Sequence, residues 1–286
     1  MSATCRTFVS AESLAGMLGD PRLRLFDCRS DLTRPDAGAE QYAAGHLPGA
    51  RFADLNRDLA APVTPTSGRH PLPSPAIFAA TLRDWSVNSD SRVVAYDERN
   101  GAYAARLWWM LRWLGHTQTC VLDGGYARWT ELGLAVTTDV PPPLAPGNFA
   151  ADIQPSMAVD AAHVLAATRS SRSRVLDARA AERFRGDVEP IDRVAGHIPG
   201  ARNLPYTVTI SADGRTLEGD ALARVLEDAD PDTARGEVIA LCGSGVTACR
   251  LLLALEHAGR TGAKLYPGSW SEWIRDPRRP VATGTD

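Results

Sequence analysis

The 286-residue chain has little net charge, few cysteines and no long apolar run. A net charge of −3 provides no positive field for binding nucleic acid, so we expect no nucleic-acid partner. No apolar run approaches the roughly 18–20 residues of a membrane span, and the segment Met1–Ser10 lacks a basic stretch followed by an apolar one. These absences predict a cytoplasmic protein that does not bind a membrane.

The cysteines are also too few and too scattered to form a framework. They are Cys5, Cys28, Cys120, Cys242 and Cys249. Their number is odd and none forms a C-x-x-C pair, so the sequence indicates neither a disulfide scaffold nor a zinc site. We therefore expect free thiols, no bound metal and no cofactor.

Two sequence phrases occur twice in the same order. Residues 25–29 read Leu-Phe-Asp-Cys-Arg, and residues 44–51 read Ala-Gly-His-Leu-Pro-Gly-Ala-Arg. Further along the chain, residues 175–179 and 195–202 repeat them as Val-Leu-Asp-Ala-Arg and Ala-Gly-His-Ile-Pro-Gly-Ala-Arg. Because the Asp-x-Arg pairs recur in both halves, we interpret them as structural polar pairs, and we interpret His197 as structural too.

A second and a third pair of phrases keep this order. Residues 92–97 form an apolar run that ends in aspartate, and residues 237–242 form one that ends in cysteine. Residues 124–129 read Gly-Gly-Tyr-Ala-Arg-Trp, and residues 268–273 read Gly-Ser-Trp-Ser-Glu-Trp. Matched phrases in one order indicate a duplicated domain rather than a short-period repeat.

The fold class follows from the pattern within each half. Short apolar runs bounded by turn residues alternate with amphipathic stretches, of which 101–114 and 246–258 are predicted helices. This alternation predicts an α/β fold with two tandem domains, each a mostly parallel, buried sheet flanked by helices.

The domain boundary is predicted at a proline-rich stretch. Residues 140–147 read Val-Pro-Pro-Pro-Leu-Ala-Pro-Gly, which cannot continue a helix or a sheet ladder because proline lacks the N–H donor. We predict an N-terminal domain over 1–139, a linker over 140–156 and a C-terminal domain over 157–286.

The segment 242–247 carries the strongest chemical signal. It reads Cys-Gly-Ser-Gly-Val-Thr and joins a predicted buried strand to a predicted helix, which is where α/β sheets bind ligands. Gly243 and Gly245 permit positive φ, so successive backbone N–H groups can surround the Cys242 sulfur. The helix N-terminus adds a partial positive charge. Both effects favour the thiolate, so we expect Cys242 to be a nucleophile.

Two other classes of protein use such a loop. The segment 243–248 fits the dinucleotide pattern G-x-G-x-x-G/A, but no acidic residue follows about 20 positions on. A cysteine-dependent phosphatase or arsenate-reductase-like enzyme would need an arginine six positions after the cysteine to hold the phosphate. That position is Ala248, and Arg250 is predicted to point away.

The cysteine loop, the Gly-His-Ile-Pro-Gly-Ala phrase before it and the Gly-Ser-Trp-Ser-Glu-Trp phrase after it resemble the tandem-domain rhodanese and 3-mercaptopyruvate sulfurtransferase family. The resemblance spans almost the whole chain. It implies that Cys242 carries sulfur as a persulfide from 3-mercaptopyruvate or thiosulfate to cyanide, a thiol or thioredoxin. Asp97 matches the aspartate of the family's non-catalytic N-terminal domain. A non-catalytic sulfur-binding interaction module remains an alternative.

The resemblance also implies roles for single residues. Arg183 matches an arginine that binds the donor's anionic group, and Arg193 is a displaced match to a second such arginine. A guanidinium group suits this role because its planar set of N–H donors fits an anionic group. Gly243-Ser244 after the cysteine is similar to mercaptopyruvate-preferring members. The loop residues expected to bind substrate are Gly243, Gly245, Val246 and Thr247.

A Ser–His–Asp relay that protonates the pyruvate enolate is implied as well. Ser244 and His46 match its serine and its N-terminal histidine by position, and a histidine titrates in the required range. Asp36 is the candidate for the acid. Against this role for His46 stands its occurrence in the repeated Gly-His-x-Pro-Gly turn, which favours a structural role.

Overall fold

A computed structural model describes residues 7–142, 144–229 and 236–285. The chain divides into two compact units. The first unit comprises residues 1–61, 73–154 and 212–215, and the second comprises residues 62–72, 155–211 and 216–286. Two short segments, 62–72 and 212–215, therefore belong to a different unit from the rest of their half of the chain.

The first unit is built on one parallel five-stranded sheet. Its strands are β1 (Phe8–Val9), β2 (Leu23–Asp27), β3 (Ala50–Phe52), β4 (Arg92–Tyr96) and β5 (Thr119–Leu122), in the order β1-β5-β4-β2-β3. Its helices are α1 (Ala11–Ala15), α2 (Ala37–Ala44), α3 (Pro75–Asp84), α4 (Ala104–Trp113) and α5 (Gly125–Glu131). Every strand pair in this sheet is parallel.

The second unit is built on a parallel four-stranded sheet. Its strands are β6 (Ser173–Asp177), β7 (Arg202–Asn203), β8 (Glu237–Leu241) and β9 (Lys264–Leu265), in the order β7-β6-β8-β9. Its helices are α6 (Ala161–Ala167), α7 (Ala181–Arg185), α8 (Gly219–Ala229), α9 (Thr247–His257) and α10 (Ser269–Trp273). Two short 3-10 helices span Pro155–Met157 and Tyr206–Thr209. The predicted fold class of two α/β domains is confirmed.

Burial on both faces explains the apolar strands. The interior strands β4 and β8 are buried along almost their whole length, because helices cover both faces of a parallel sheet. Helix α4 is buried nearly all round and packs on β4 and β5, so Trp108 and Trp109 are core residues. The predicted helices over 101–114 and 246–258 are present as α4 and α9.

The repeated Asp-x-Arg pairs are buried ion pairs that hold the repeated turns. Arg29 pairs with Asp27 at 2.6 Å and donates to the Gly45 carbonyl at 2.6 Å. In the second unit, Arg179 pairs with Asp177 at 2.6 Å and donates to a backbone carbonyl in the matching turn at 2.8 Å. The same chemistry therefore fixes the same loop in both units, as a structural role requires.

The cysteines follow the prediction in part. Cys28, Cys242 and Cys249 are free and buried. The prediction is wrong for Cys120, which is disulfide-bonded, and Cys5 lies outside the described residues. Over the described residues, no helix has the length and apolar character to cross a membrane, and no group of three or more His, Cys, Asp or Glu side chains could hold a metal ion.

Candidate active site

Cys242 lies directly after β8, an interior strand of the second sheet. Helix α9 begins at Thr247, so residues 243–246 form the whole connection. Ligands of open α/β sheets bind at the carboxyl ends of the strands, which is the edge where this connection lies. Cys242 is 1% exposed, so its sulfur is held within the loop rather than on a surface.

The loop surrounds the sulfur with backbone. The N–H of Gly245 donates a hydrogen bond to Cys242 Sγ at 3.2 Å. Gly245 has φ of +75°, and a Cβ at this position would overlap the carbonyl oxygen of Pro267, so only glycine fits here. Val246, the N-cap of α9, and Thr247, its first residue, bring the positive end of the helix dipole to the same loop. The arrangement favours an anionic sulfur.

Residues 268–271 hold this loop from the other side. Ser269 Oγ accepts a hydrogen bond from the N–H of Cys242 at 3.1 Å. The N–H groups of Trp270 and Ser271 donate to the carbonyls of Cys242 and Gly243 at 3.0 and 2.9 Å. The repeated phrase at residues 268–273 therefore supports the cysteine loop through hydrogen bonds.

Two arginines lie against Gly243. A Cβ built on Gly243 would lie 2.8 Å from Arg69 Nη2, 3.6 Å from Arg183 Nη2 and 3.7 Å from Arg183 Nη1. Helix α7 carries Arg183, as predicted for a donor-binding residue, and the segment 62–72 carries Arg69. Two guanidinium groups thus border the cysteine loop, an arrangement whose chemistry suits an anion, and we call this place the anion pocket.

Two carboxylates hold these arginines in place. Glu189 accepts from Arg183 Nη2 at 2.7 Å and from Nε at 3.2 Å, and Asp192 pairs with both Arg183 and Arg69. Burial raises the pKa of Glu189, but the hydrogen bonds and charge of Arg183 together with the backbone N–H groups of Asp192 and Ile191 lower it by more, so the net shift is downward. Burial raises the pKa of Asp192, and the guanidinium group of Arg69 offsets this rise only in part.

Arg193 takes no part in the ion pairs of this pocket. Its side chain is exposed and its Nη2 donates to the carbonyl of Ile274 at 2.7 Å. The second arginine beside the cysteine loop is Arg69, which corrects the assignment of Arg193 to that place.

Ser244 is paired with a histidine, but a different one from the prediction. Ser244 Oγ lies 2.8 Å from His70 Nδ1, and both side chains are buried. The ring of His46 instead faces two backbone carbonyls, those of Tyr42 at 2.8 Å and Asp139 at 3.2 Å, and stacks on Tyr42. The structure therefore does not bring His46 to Ser244, and the histidine beside Ser244 is His70.

Asp36 lies at the N-cap of α2, where its exposed side chain makes no capping hydrogen bond. The histidine that it was predicted to assist is replaced by His70, so the assignment of Asp36 loses its basis. His197 repeats the environment of His46, with Nδ1 2.8 Å from the Phe184 carbonyl and its ring stacked on Phe184.

Arg250 points away from the cysteine loop. It is fully buried in α9 and donates to Thr216 Oγ1 at 2.8 Å. With Ala248 at the position where a phosphatase has its arginine, the loop offers no bidentate phosphate clamp of its own.

The first unit fills the corresponding loop with a carboxylate. Asp97 follows β4 as Cys242 follows β8, and its carboxylate accepts from the backbone N–H groups of Arg99, Gly101, Tyr103 and Ala104 at 2.8–3.2 Å. Burial raises the pKa of Asp97, and these N–H groups offset the rise only in part. The loop thus encloses a carboxyl group of the chain itself.

Arg69 and His70 were not among the predicted site residues, although the sequence contains one signal for them. Gly68-Arg69-His70 stands before α3 as Gly214-Arg215-Thr216 stands before α8. The histidine has no counterpart in the second copy, whereas His46 has one in His197. A residue that breaks the repeat was the better candidate.

Comparison with known proteins agrees with this geometry. The family model of the rhodanese-like domain matches residues 10–132 and 160–276. A probable 3-mercaptopyruvate sulfurtransferase of Pseudomonas aeruginosa is 49% identical over 278 residues, which cover 96% of this chain and 98% of the relative. A putative thiosulfate sulfurtransferase of Mycobacterium tuberculosis is 43% identical, with full coverage of both chains.

Solved structures extend the likeness to three dimensions. The crystal structure of the 3-mercaptopyruvate sulfurtransferase SseA from Escherichia coli superposes with a TM-score of 0.82 at 36% identity, covering 93% of this chain and 99% of that one. The enzyme from Leishmania major gives a TM-score of 0.82 at 31% identity, covering 95% of this chain and 76% of that one. The chain therefore belongs to the tandem-domain rhodanese and 3-mercaptopyruvate sulfurtransferase family and is a sulfurtransferase.

Proposed function

We propose that the enzyme takes a sulfur atom from 3-mercaptopyruvate or thiosulfate onto Cys242 and passes it to a thiophilic acceptor. The observation that carries this proposal is the hydrogen bond from the Gly245 N–H to Cys242 Sγ, in a loop bordered by Arg69 and Arg183. The same groups that favour a thiolate favour a persulfide, whose outer sulfur is also anionic.

In the first half-reaction the Cys242 thiolate attacks the donor's sulfur. With 3-mercaptopyruvate the C–S bond breaks, its electron pair leaves as the pyruvate enolate, and a proton converts the enolate to pyruvate. With thiosulfate the S–S bond breaks and sulfite leaves with the pair. In both cases Arg183 and Arg69 lie where they can bind the donor's anionic group.

In the second half-reaction the acceptor attacks the outer sulfur and restores the Cys242 thiolate. Cyanide, a low-molecular-weight thiol and thioredoxin are the proposed acceptors, because each offers a soft nucleophile. We propose a cytoplasmic location, and cell fractionation tests it. The first unit is proposed to be non-catalytic, because Asp97 replaces the nucleophile.

The proposed preferred donor is 3-mercaptopyruvate. The loop itself carries no cation, but Arg69 and Arg183 supply two beside it, so the lack of charge in the loop does not decide between donors. What supports mercaptopyruvate is the pair of Ser244 and His70, since a hydroxyl backed by a histidine can deliver the proton that the enolate needs. Sulfite needs no such proton.

The direct test is the mass of the intact protein. Incubation with either donor is expected to add one sulfur atom, about 32 Da, and cyanide is expected to remove it. Peptide mapping should locate the sulfur on Cys242 and leave unmodified Cys28 and Cys249, the other cysteines outside a disulfide in the described part of the chain. An unchanged mass with both donors would refute the proposal.

Removing the Ser244–His70 pair should separate the two donors. For His70→Asn or Ser244→Ala, we expect kcat with 3-mercaptopyruvate to fall about 100-fold, the scale of general acid catalysis, and kcat with thiosulfate to fall much less. Steady-state rates with both donors measure this, and His163→Asn, which changes an exposed histidine of the same unit, is the control. Equal losses with both donors would contradict a proton-delivery role.

A further inference from the structure

The anion pocket beside the cysteine loop already contains a carboxylate. The side chain of Asp192 is only 4% exposed. Its Oδ2 lies 3.2 Å from Arg183 Nη2, and its Oδ1 forms an ion pair with Arg69 Nη1. Because both guanidinium groups lie against Gly243, a carboxylate of the chain itself bridges the two cations that border the nucleophile.

The positive charge of this pocket is balanced before any donor enters. Glu189 pairs with Arg183 and also with Arg179 at 3.4 Å, and Asp177 pairs with Arg179 at 2.6 Å. Three arginines thus face three carboxylates. They are Arg69, Arg179 and Arg183 against Asp177, Glu189 and Asp192.

The guanidinium nitrogens that lie next to Gly243 are the ones that can bind a donor. Arg69 Nη2 and Arg183 Nη1 lie 2.8 and 3.7 Å from the Cβ position of Gly243, and neither atom takes part in the ion pairs with Asp192. An anion bound there shares both guanidinium groups with Asp192. Two negative charges on the same pair of cations repel each other across a partly buried site, where solvent screening is reduced.

We infer that Asp192 is an internal carboxylate that neutralises Arg69 and Arg183 and thereby weakens the binding of the donor's anionic group. The identity of that group as a carboxylate or a sulfonate rests on the proposed function. The same weakening applies to an anionic product. Pyruvate or sulfite must leave before an acceptor can reach the persulfide, so a neutralised pocket favours turnover at the cost of donor affinity.

The test is the binding of pyruvate to the resting full-length enzyme, measured by isothermal titration calorimetry. Asp192→Asn keeps the shape and removes the charge, and Asp192→Ser removes the charge and leaves space. We expect both variants to bind pyruvate about tenfold more tightly than the wild type, the effect of one repelling charge a few ångströms away in a partly screened site. Thermal unfolding verifies that each variant is folded.

The matched control is Asp187→Asn, which removes the same charge from the same segment. Asp187 is half-exposed and pairs only outside the pocket, with Arg185 at 2.8 Å, so pyruvate affinity should stay within about twofold of the wild type. Equal or weaker binding by both Asp192 variants, or no pyruvate binding by any of the proteins, overturns the inference. The KM for 3-mercaptopyruvate should fall by a similar factor in the Asp192 variants, without a rise in kcat.

This outcome is separable from that of the proposed function. Pyruvate binding needs no sulfur transfer, whereas the mass of the donor-treated wild type reports persulfide formation directly. A wild type that forms no persulfide while Asp192→Asn still tightens pyruvate binding would refute the proposed function and leave the inference standing. A wild type that forms the persulfide while neither variant tightens pyruvate binding would support the proposed function and refute the inference.

Discussion

Replacing Cys242 with serine is expected to abolish sulfur transfer and to leave the fold intact. A hydroxyl nearly preserves the volume of the thiol, and it can accept the hydrogen bond that the Gly245 N–H gives to Sγ. It cannot form a persulfide, so the covalent step has no substitute. We expect kcat with either donor to fall by about 10⁴-fold or more, which is the usual size of the loss when a covalent nucleophile is removed. Thiocyanate production from cyanide measures it.

Cys249→Ser is the matched control for that variant. Cys249 is also buried and free, and its thiol donates to the Gly245 carbonyl at 3.3 Å, a hydrogen bond that a hydroxyl can keep. The same chemical change should therefore lower kcat by less than about tenfold, because only a supporting contact is altered. Substantial activity in Cys242→Ser, or a loss just as large in Cys249→Ser, would show that Cys242 is not the carrier.

Gly245→Ala should disable the loop by backbone geometry alone. A left-handed φ of +75° costs a non-glycine residue about 1–2 kcal/mol, and the added Cβ would overlap the carbonyl oxygen of Pro267, a backbone atom between β9 and α10. We expect the free energy of unfolding to fall by about 2–4 kcal/mol. We also expect kcat to fall by about 10²–10³-fold, because the N–H that binds the sulfur anion is displaced.

Gly259→Ala separates the two causes of that effect. Gly259 follows α9 at its other end with φ of +78°, but a Cβ there meets no atom within 4 Å. This variant should lose only about 1–2 kcal/mol of unfolding free energy and keep its kcat. Chemical denaturation and steady-state rates on both variants test the pair. Equal losses of activity would contradict the argument that close backbone approach makes Gly245 irreplaceable.

The fold could be predicted from the sequence because local signals repeat. Apolar runs such as 92–97 and 237–242 end at the carboxyl edge of a sheet in both units, and each is followed by a buried helix. Cys242 was singled out by its place in one of these repeated patterns, directly after an apolar run and before a glycine-rich turn, whereas Arg183 was indicated only by the family resemblance. Periodicity and turn chemistry are encoded within a few neighbouring residues, which is why they can be read without coordinates.

The histidine and the second arginine could not be found that way. His70 reaches Ser244 and Arg69 reaches Asp192 across more than one hundred positions of chain, and no local pattern specifies such a pairing. The comparison of the two copies offered the better guide. His46 and His197 keep the repeat and are structural, whereas His70 and Cys242 break it, since Thr216 and Asp97 stand in their places.

Residues 62–72 belong to the second unit although they lie in the N-terminal half of the sequence, and this limits where the coding sequence can be divided. A fragment that starts at the proline-rich stretch after residue 139 would contain Cys242, Ser244, Arg183 and Asp192 but neither Arg69 nor His70. Residues that contact the cysteine loop therefore come from both halves of the repeated sequence, and truncation or domain shuffling at the linker would separate Cys242 and Ser244 from Arg69 and His70.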